Sequence, residues 1–264
     1  MKRDVSAHIA LSITEPADLV FSVAVASGYD ATESLVVTVE GENVPIEEIP
    51  DAHGARLHRV RAPRGALVLD YDASISGRAA PPASDIADPI RYLRPSRYAE
   101  SDALAAVAGA EFGGIQGAAD LLAAVSSWVG THLLYVPGAS LPTDGAVRTL
   151  LARQGVCRDY AHLVVALLRA RNIPARLVSV YAPGLDPMDF HAVAEAWLDG
   201  AWQVVDATTL APRQTLVRIA TGRDAADTAF LSVLSGRADL DDLMVTAVAD
   251  ELPFDDITQL VTLG

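Results

Sequence analysis

The chain has 264 residues, 51% of them hydrophobic, and a formal net charge of −14, which is enough apolar material for a sizeable core and a smaller companion unit. That negative balance excludes unaided binding to nucleic acid or to an anionic membrane surface, both of which need basic patches. Its single cysteine, Cys157, excludes an internal disulfide; with no run of transmembrane length and no apolar signal core behind Met1-Lys-Arg-Asp-Val, the expected setting is reducing and cytoplasmic.

Residues 1–77 read as strands. Val5, Ala7, Ile9, Leu11 and Ile13 alternate with Ser6, His8, Ala10, Ser12 and Thr14, and Leu67, Leu69, Tyr71, Ala73 and Ile75 repeat the period of two. Gly28, Gly41, Gly54 and Gly65 punctuate them, so several short strands with regular turns predict an antiparallel β-sandwich. The proline-rich stretch from Arg78 to Pro89 marks a boundary, giving a linker over 78–92 and a second unit over 93–264. Helices are expected near 101–110 and 117–132, and a third from Thr143, as N-cap, to Arg153, with Gly155 ending it.

Cys157 opens the run Arg158-Asp-Tyr-Ala161-His-Leu-Val-Val-Ala-Leu-Leu-Arg-Ala-Arg171, too long and too apolar for a strand. This is a helix buried on most sides, stopping at Asn172-Ile173-Pro174, where Asn suits a left-handed cap and Pro cannot continue. Cys157 then lies in the first turn, where unpaired N–H groups and the positive end of the helix dipole favour a thiolate.

The segment from His191 to Asp206 folds as a hairpin. Asp199-Gly200 between two alternating runs is a two-residue turn signal, since both central positions of a type I′ turn need positive φ. Leu198 then faces Ala201, Trp197 faces Trp202, Val193 faces Asp206 and His191 faces Thr208. His191 and Asp206 become diagonal neighbours on one face, about 7–8 Å apart at the backbone, a gap their side chains can close with a hydrogen bond. A slip of one residue would put them on opposite faces.

Together Cys157, His191 and Asp206 are the parts of an activated thiol: Cys157 attacks a carbonyl, His191 moves the proton, and Asp206 fixes the imidazole tautomer. The chemistry is acyl transfer through a thioester. The backbone N–H of Cys157 is one natural oxyanion donor, and Tyr135 and Gln154 are candidates for the second.

Neighbouring residues have plainer roles. Asp159 suits capping of the first helical turn, and Ala161, one turn after Cys157, lets the sheet carrying His191 come close. His162 points about 140° away from Cys157 on the helix and reads as packing. Glu195 shares the face of His191 and reads as a carboxylate on the sheet surface. Trp197 and Trp202 are a cross-strand aromatic pair. A zinc site from Cys157, His162, His191 and Asp206 is disfavoured by the absence of paired ligands at short spacing, so no metal and no cofactor are expected. The tail from Leu234 to Gly264 carries little pattern.

Gly155-Val-Cys157-Arg-Asp159-Tyr-Ala161-His, Ile173-Pro-Ala-Arg176, Phe190-His191-Ala with Glu195, and Trp202 with Asp206-Ala-Thr208 resemble the bacterial transglutaminase-like cysteine proteins over roughly residues 90 to 230. The segments Tyr92–Tyr98 and Thr221–Asp227 also look familiar from such proteins. The resemblance implies an α+β protein: an N-terminal strand module, then a papain-like core in which a buried cysteine helix packs on an antiparallel sheet carrying the His and the Asp. It implies a Cys157, His191, Asp206 triad and a peptide or protein substrate. This chain has Val193 where many relatives carry an aromatic after the His-Ala pair, and a different substrate groove is an expectation of that departure. The superfamily includes crosslinking enzymes, peptidases, amidases and inactive members, and fold analogy does not choose among them. Hydrolysis of a peptide or side-chain amide is the leading expectation; the alternatives are transfer to an amine and a non-catalytic peptide-binding module.

Overall fold

The period-two alternation at the start of the chain is one long strand, β1 (Lys2–Phe21), whose residues Val5, Ala7, Ile9, Leu11 and Ile13 are buried. In the computed structural model, which describes residues 1–80 and 85–264, five strands follow: β2 (Asp30–Val39), β3 (Glu42–Asn43), β4 (Ile46–Pro50), β5 (Arg56–Ala62) and β6 (Gly65–Ser76). Next come α1 (Asp88–Arg91), α2 (Ala105–Phe112), α3 (Ala118–His132), β7 (Leu134–Tyr135), α4 (Ala146–Ala152), β8 (Gln154–Gly155) and α5 (Cys157–Ala170). The chain then runs through β9 (Ala175–Tyr181), β10 (His191–Leu198), β11 (Ala201–Val205), β12 (Val217–Gly222), α6 (Ala225–Thr228) and β13 (Leu231–Ala249).

The first sheet is antiparallel, in the order β3-β2-β6-β1-β5-β4, and β13 pairs along the length of β1 from Arg3↔Ala249 to Phe21↔Leu231. Where the sequence predicts a sandwich within 1–77, the strands form one half-barrel sheet of seven. The second layer comes from elsewhere: Tyr181, Val217, Ile219 and Ala220 of β9 and β12 fill the same core cluster as Ile9, Leu11, Leu69 and Tyr71. A division that gives 93–264 wholly to the second unit assigns β13 there, whereas its hydrogen bonds are to β1. The tail hides this strand from sequence inspection because most of it is solvent-exposed, with Val245 and Ala247 its buried residues.

The second sheet has the antiparallel order β11-β10-β9-β12. Helix α5 lies behind it, buried at every residue from Asp159 to Arg169, among residues of α2, α3 and α4. It ends as the sequence predicts, with Asn172 at φ 61° ahead of Pro174. The helix expected from Thr143 begins instead at Ala146. Gly145, the residue before it, is extended, with φ −107° and ψ −177°. Gly155 is not a helix end but the partner of Tyr135 in the short parallel ladder of β7 and β8.

Within the linker expected over 78–92, residues 81–84 lie outside the described residues. Asp88 and Tyr92 of the same stretch are buried, and the Tyr92 hydroxyl sits 2.7 Å from His53 Nε2 of the first unit. Among the described residues no helix is long and apolar enough to cross a membrane.

Candidate active site

Residue type and backbone geometry together put Cys157 at the start of α5. A Cβ on Gly155 would meet the Cβ of Asp159 at 2.7 Å, so only glycine lets the chain turn this closely into the helix. Asp159 caps the turn as the sequence predicts: its carboxylate accepts the Val156 N–H at 2.8 Å and the Ser140 hydroxyl. Cys157 is half-buried, with Sγ 4.0 Å from the Phe190 carbonyl oxygen, one residue before His191. Ala161 is buried one turn along.

The hairpin has the register its turn dictates. Leu198↔Ala201 and Trp197↔Trp202 pair, and Asp199 (φ 51°) and Gly200 (φ 81°) adopt the positive φ values of the type I′ turn. The two indoles meet edge to face at 5.2 Å. The ladder ends at Ala194↔Val205, so the further pairs Val193–Asp206 and His191–Thr208 are not part of it. Asp206 diverts the chain with its own carboxylate, Oδ1 accepting the Thr208 N–H at 2.8 Å and the Thr208 hydroxyl at 2.7 Å. Its other oxygen still lies 3.0 Å from His191 Nε2.

His191 Nδ1 is buried and makes no hydrogen bond to a nitrogen or oxygen. It is the ring atom left for the thiol. Burial opposes charge on this imidazole, but the charge and hydrogen bond of Asp206 outweigh it, with help from Cys157, and push His191 up to about 10. Burial likewise opposes charge on Asp206, yet the imidazolium and the Thr208 bonds hold it below the ordinary aspartate value.

The sign of the resulting pH dependence follows from linkage. Between the free imidazole value, about 6.5, and the folded value the native state holds a proton that the unfolded chain has lost, so this stabilisation is complete at lower pH and disappears as pH rises through about 10. In a Cys157→Ala background, where no thiol titrates, the stability gap between the His191 protein and His191→Gln should therefore narrow from pH 6 to pH 10 in urea unfolding. A gap independent of pH would contradict a charged pair.

Tyr135 faces the same thiol. The β7–β8 ladder sets it opposite Gly155, and its hydroxyl is held above the ordinary tyrosine range by burial, by the charge of Cys157 and by a side-chain hydrogen bond with it, while the Cys157 backbone acts the other way. Of the two oxyanion candidates, then, Tyr135 is the one whose ionisation Cys157 influences. Gln154 pairs with Leu134 in the ladder and makes no side-chain hydrogen bond to Cys157 among the described residues.

Of two further neighbours, one agrees with the sequence reading and one does not. His162 is packing, as predicted: it is buried, stacks on Tyr98 at 5.4 Å, accepts the Ala225 N–H and is pushed down to about 4 by burial. Glu195 is corrected from sheet surface to buried core. It lies between Arg176 (2.7 Å) and Arg218 (2.6 Å), whose charges overcome burial and hold it at about 2. The covering layer comes from distant sequence, with His53 reaching Arg176 at 3.5 Å, so no local pattern could reveal it.

A cleft of about 550 Å³ opens over Cys157 and His191, walled by Phe190, Ile219, Phe230 and Leu243. The last belongs to β13, so both units shape it. Sequence reasoning missed these walls; Phe190, adjacent to His191, is the one that motif inspection could have flagged.

A family model described as the transglutaminase-like superfamily matches residues 106–207, the segment containing Cys157, His191 and Asp206. Among solved structures, a Cytophaga hutchinsonii protein described as a "putative cysteine protease" is 34% identical, with a TM-score of 0.87 over 96% of this chain and 92% of that one. Two curated mycobacterial relatives are described as uncharacterized: ML0607 of Mycobacterium leprae is 28% identical over 56% of this chain, and Mb2599c of Mycobacterium bovis 34% identical over 41%. The chain spans 57% and 39% of their lengths, less than two thirds in each case. The likeness to the Cytophaga structure runs through both chains nearly end to end, and the family match covers the segment bearing the thiol, the imidazole and the carboxylate: the chain belongs to the transglutaminase-like superfamily.

Proposed function

We propose that this chain is a cysteine-dependent acyl-transfer enzyme that hydrolyses a peptide or side-chain amide through a thioester on Cys157. The observation that carries the reading is the split use of His191, with Nε2 on Asp206 at 3.0 Å and Nδ1 free of nitrogen and oxygen partners beside the thiol. The Cys157 thiolate adds to the carbonyl carbon. The oxyanion is received by the Cys157 N–H, a first-turn donor that no helical carbonyl reaches, and by the Tyr135 hydroxyl. Protonated His191 gives its proton to the departing nitrogen as the C–N bond breaks, leaving the acyl thioester. Water then attacks, His191 takes its proton, the C–S bond breaks, the acid leaves, and the Cys157 thiolate is regenerated beside protonated His191.

An activated ester tests this without knowledge of the natural substrate. With 4-nitrophenyl acetate, a burst of about one nitrophenolate per chain is expected, with the acetyl group mapped to Cys157, followed by slower turnover. Absence of a burst across a panel of activated esters and amides would favour a binding module.

A further inference from the structure

The charged groups lining the cleft differ in how fully they are engaged. Arg158 directs its guanidinium to Asp159 Oδ1 (3.0 Å), Ser140 Oγ (3.0 Å) and the Leu141 carbonyl (2.9 Å). His191 is held by Asp206 at 3.0 Å. Asp189 is different. It lines the cleft two residues before His191, and its carboxylate accepts one hydrogen bond, from the neighbouring Phe190 N–H at 2.7 Å. No arginine, lysine or histidine pairs with it among the described residues. A carboxylate offers about four acceptor positions, so most of its capacity is left open.

Asp189 is exposed to solvent as a residue, and partial burial of its carboxyl holds it above the ordinary aspartate value, against the Phe190 amide and the charge of His191. Its carboxylate lines the same cleft as Cys157 and His191. Local charge points the same way: protonated His191 and Asp206 cancel, Arg158 and Asp159 cancel, and Asp189 is left as a net negative charge on the cleft lining. A chain of net charge −14 draws cations toward such a cleft.

We propose that Asp189 is a specificity residue that binds a primary ammonium of the substrate, either a lysine side chain or a peptide amino terminus, beside the bond under attack. The proposal rests on Cys157 being the reactive thiol of this cleft. An amide carrying such a group gains a charge-assisted contact at Asp189 while its apolar parts rest on Phe190, Phe230 and Leu243.

Because Cys157 is the chain's only cysteine, its labelling reads the cleft directly. Methyl methanethiosulfonate and its cationic 2-aminoethyl analogue each form a mixed disulfide at Sγ and expel methanesulfinate. With both rates divided by those of 2-mercaptoethanol, the preference for the cationic reagent should fall about tenfold in Asp189→Asn and recover in Asp189→Glu. The ratio cancels any change in the thiol itself. An equal preference in the wild type and Asp189→Asn would overturn the proposal. Protection of Cys157 by Nα-acetyl-lysinamide assigns the ammonium to a side chain and protection by glycinamide assigns it to an amino terminus; protection by neither also overturns it. A wild-type thiol no faster with the neutral reagent than that of His191→Ala would sink the activated-thiol reading instead, and the two failures are therefore distinguishable.

Discussion

Cys157→Ala should lower ester or amide turnover by about 10⁴-fold or more while leaving the fold intact. No other thiol exists in the chain to substitute for it, and neither Tyr135 nor His191 can form the thioester. The structural cost is small: the residue is half-buried and the change removes a single sulfur, so stability should stay within about 1 kcal/mol of the wild type. Parallel burst kinetics and urea unfolding check both halves. An alanine variant retaining a tenth of the wild-type turnover would move the chemistry away from α5.

The largest expected effect on stability lies at Glu195. Its two oxygens hold Arg176 and Arg218, all three side chains are buried, and the Arg176 guanidinium lies 3.9 Å from the centre of the Trp202 ring. Removing the carboxylate leaves two guanidinium groups without their counter-ion in a region closed to water. Glu195→Ala should therefore cost about 3–5 kcal/mol, read as a lower urea midpoint. Replacing all three with apolar residues, as Arg176→Met, Glu195→Leu and Arg218→Met together, should recover much of that loss, since it removes the buried charges along with their pairing. A loss below about 1 kcal/mol in Glu195→Ala would mean that the cluster is not closed to solvent.

Much of this arrangement is legible from local sequence, and the reason is physical. Asp199-Gly200 specifies a turn by its φ requirements, the turn fixes register, and register fixes which side chains share a face; the path from Trp197 to Trp202 needs no tertiary information. The same holds for Asn172, whose left-handed backbone ends α5. What escapes is non-local. The pairing of β13 with β1 joins residues more than two hundred positions apart, through a strand exposed along much of its length. Glu195 carries no mark of burial in its own strand, since Arg176, Arg218 and His53 come from three other segments. Thr143 satisfies the composition rule for a cap, yet the backbone is still extended at Gly145 and the helix starts at Ala146. The cleft walls follow the same logic, because Phe230 and Leu243 come to line the cleft of Cys157 from segments far along the chain.

The central claim is that His191 activates Cys157, and the rate of iodoacetamide alkylation against pH tests it most directly. An ordinary cysteine ionises near pH 8.5 and reacts little at pH 6, whereas a thiol beside an imidazolium anchored by Asp206 remains reactive there. Wild-type protein should alkylate at least about tenfold faster than His191→Ala at pH 6, with the difference closing by pH 9 to 10 as the unassisted thiol ionises. Identical rates and identical pH profiles for the two proteins would contradict the account.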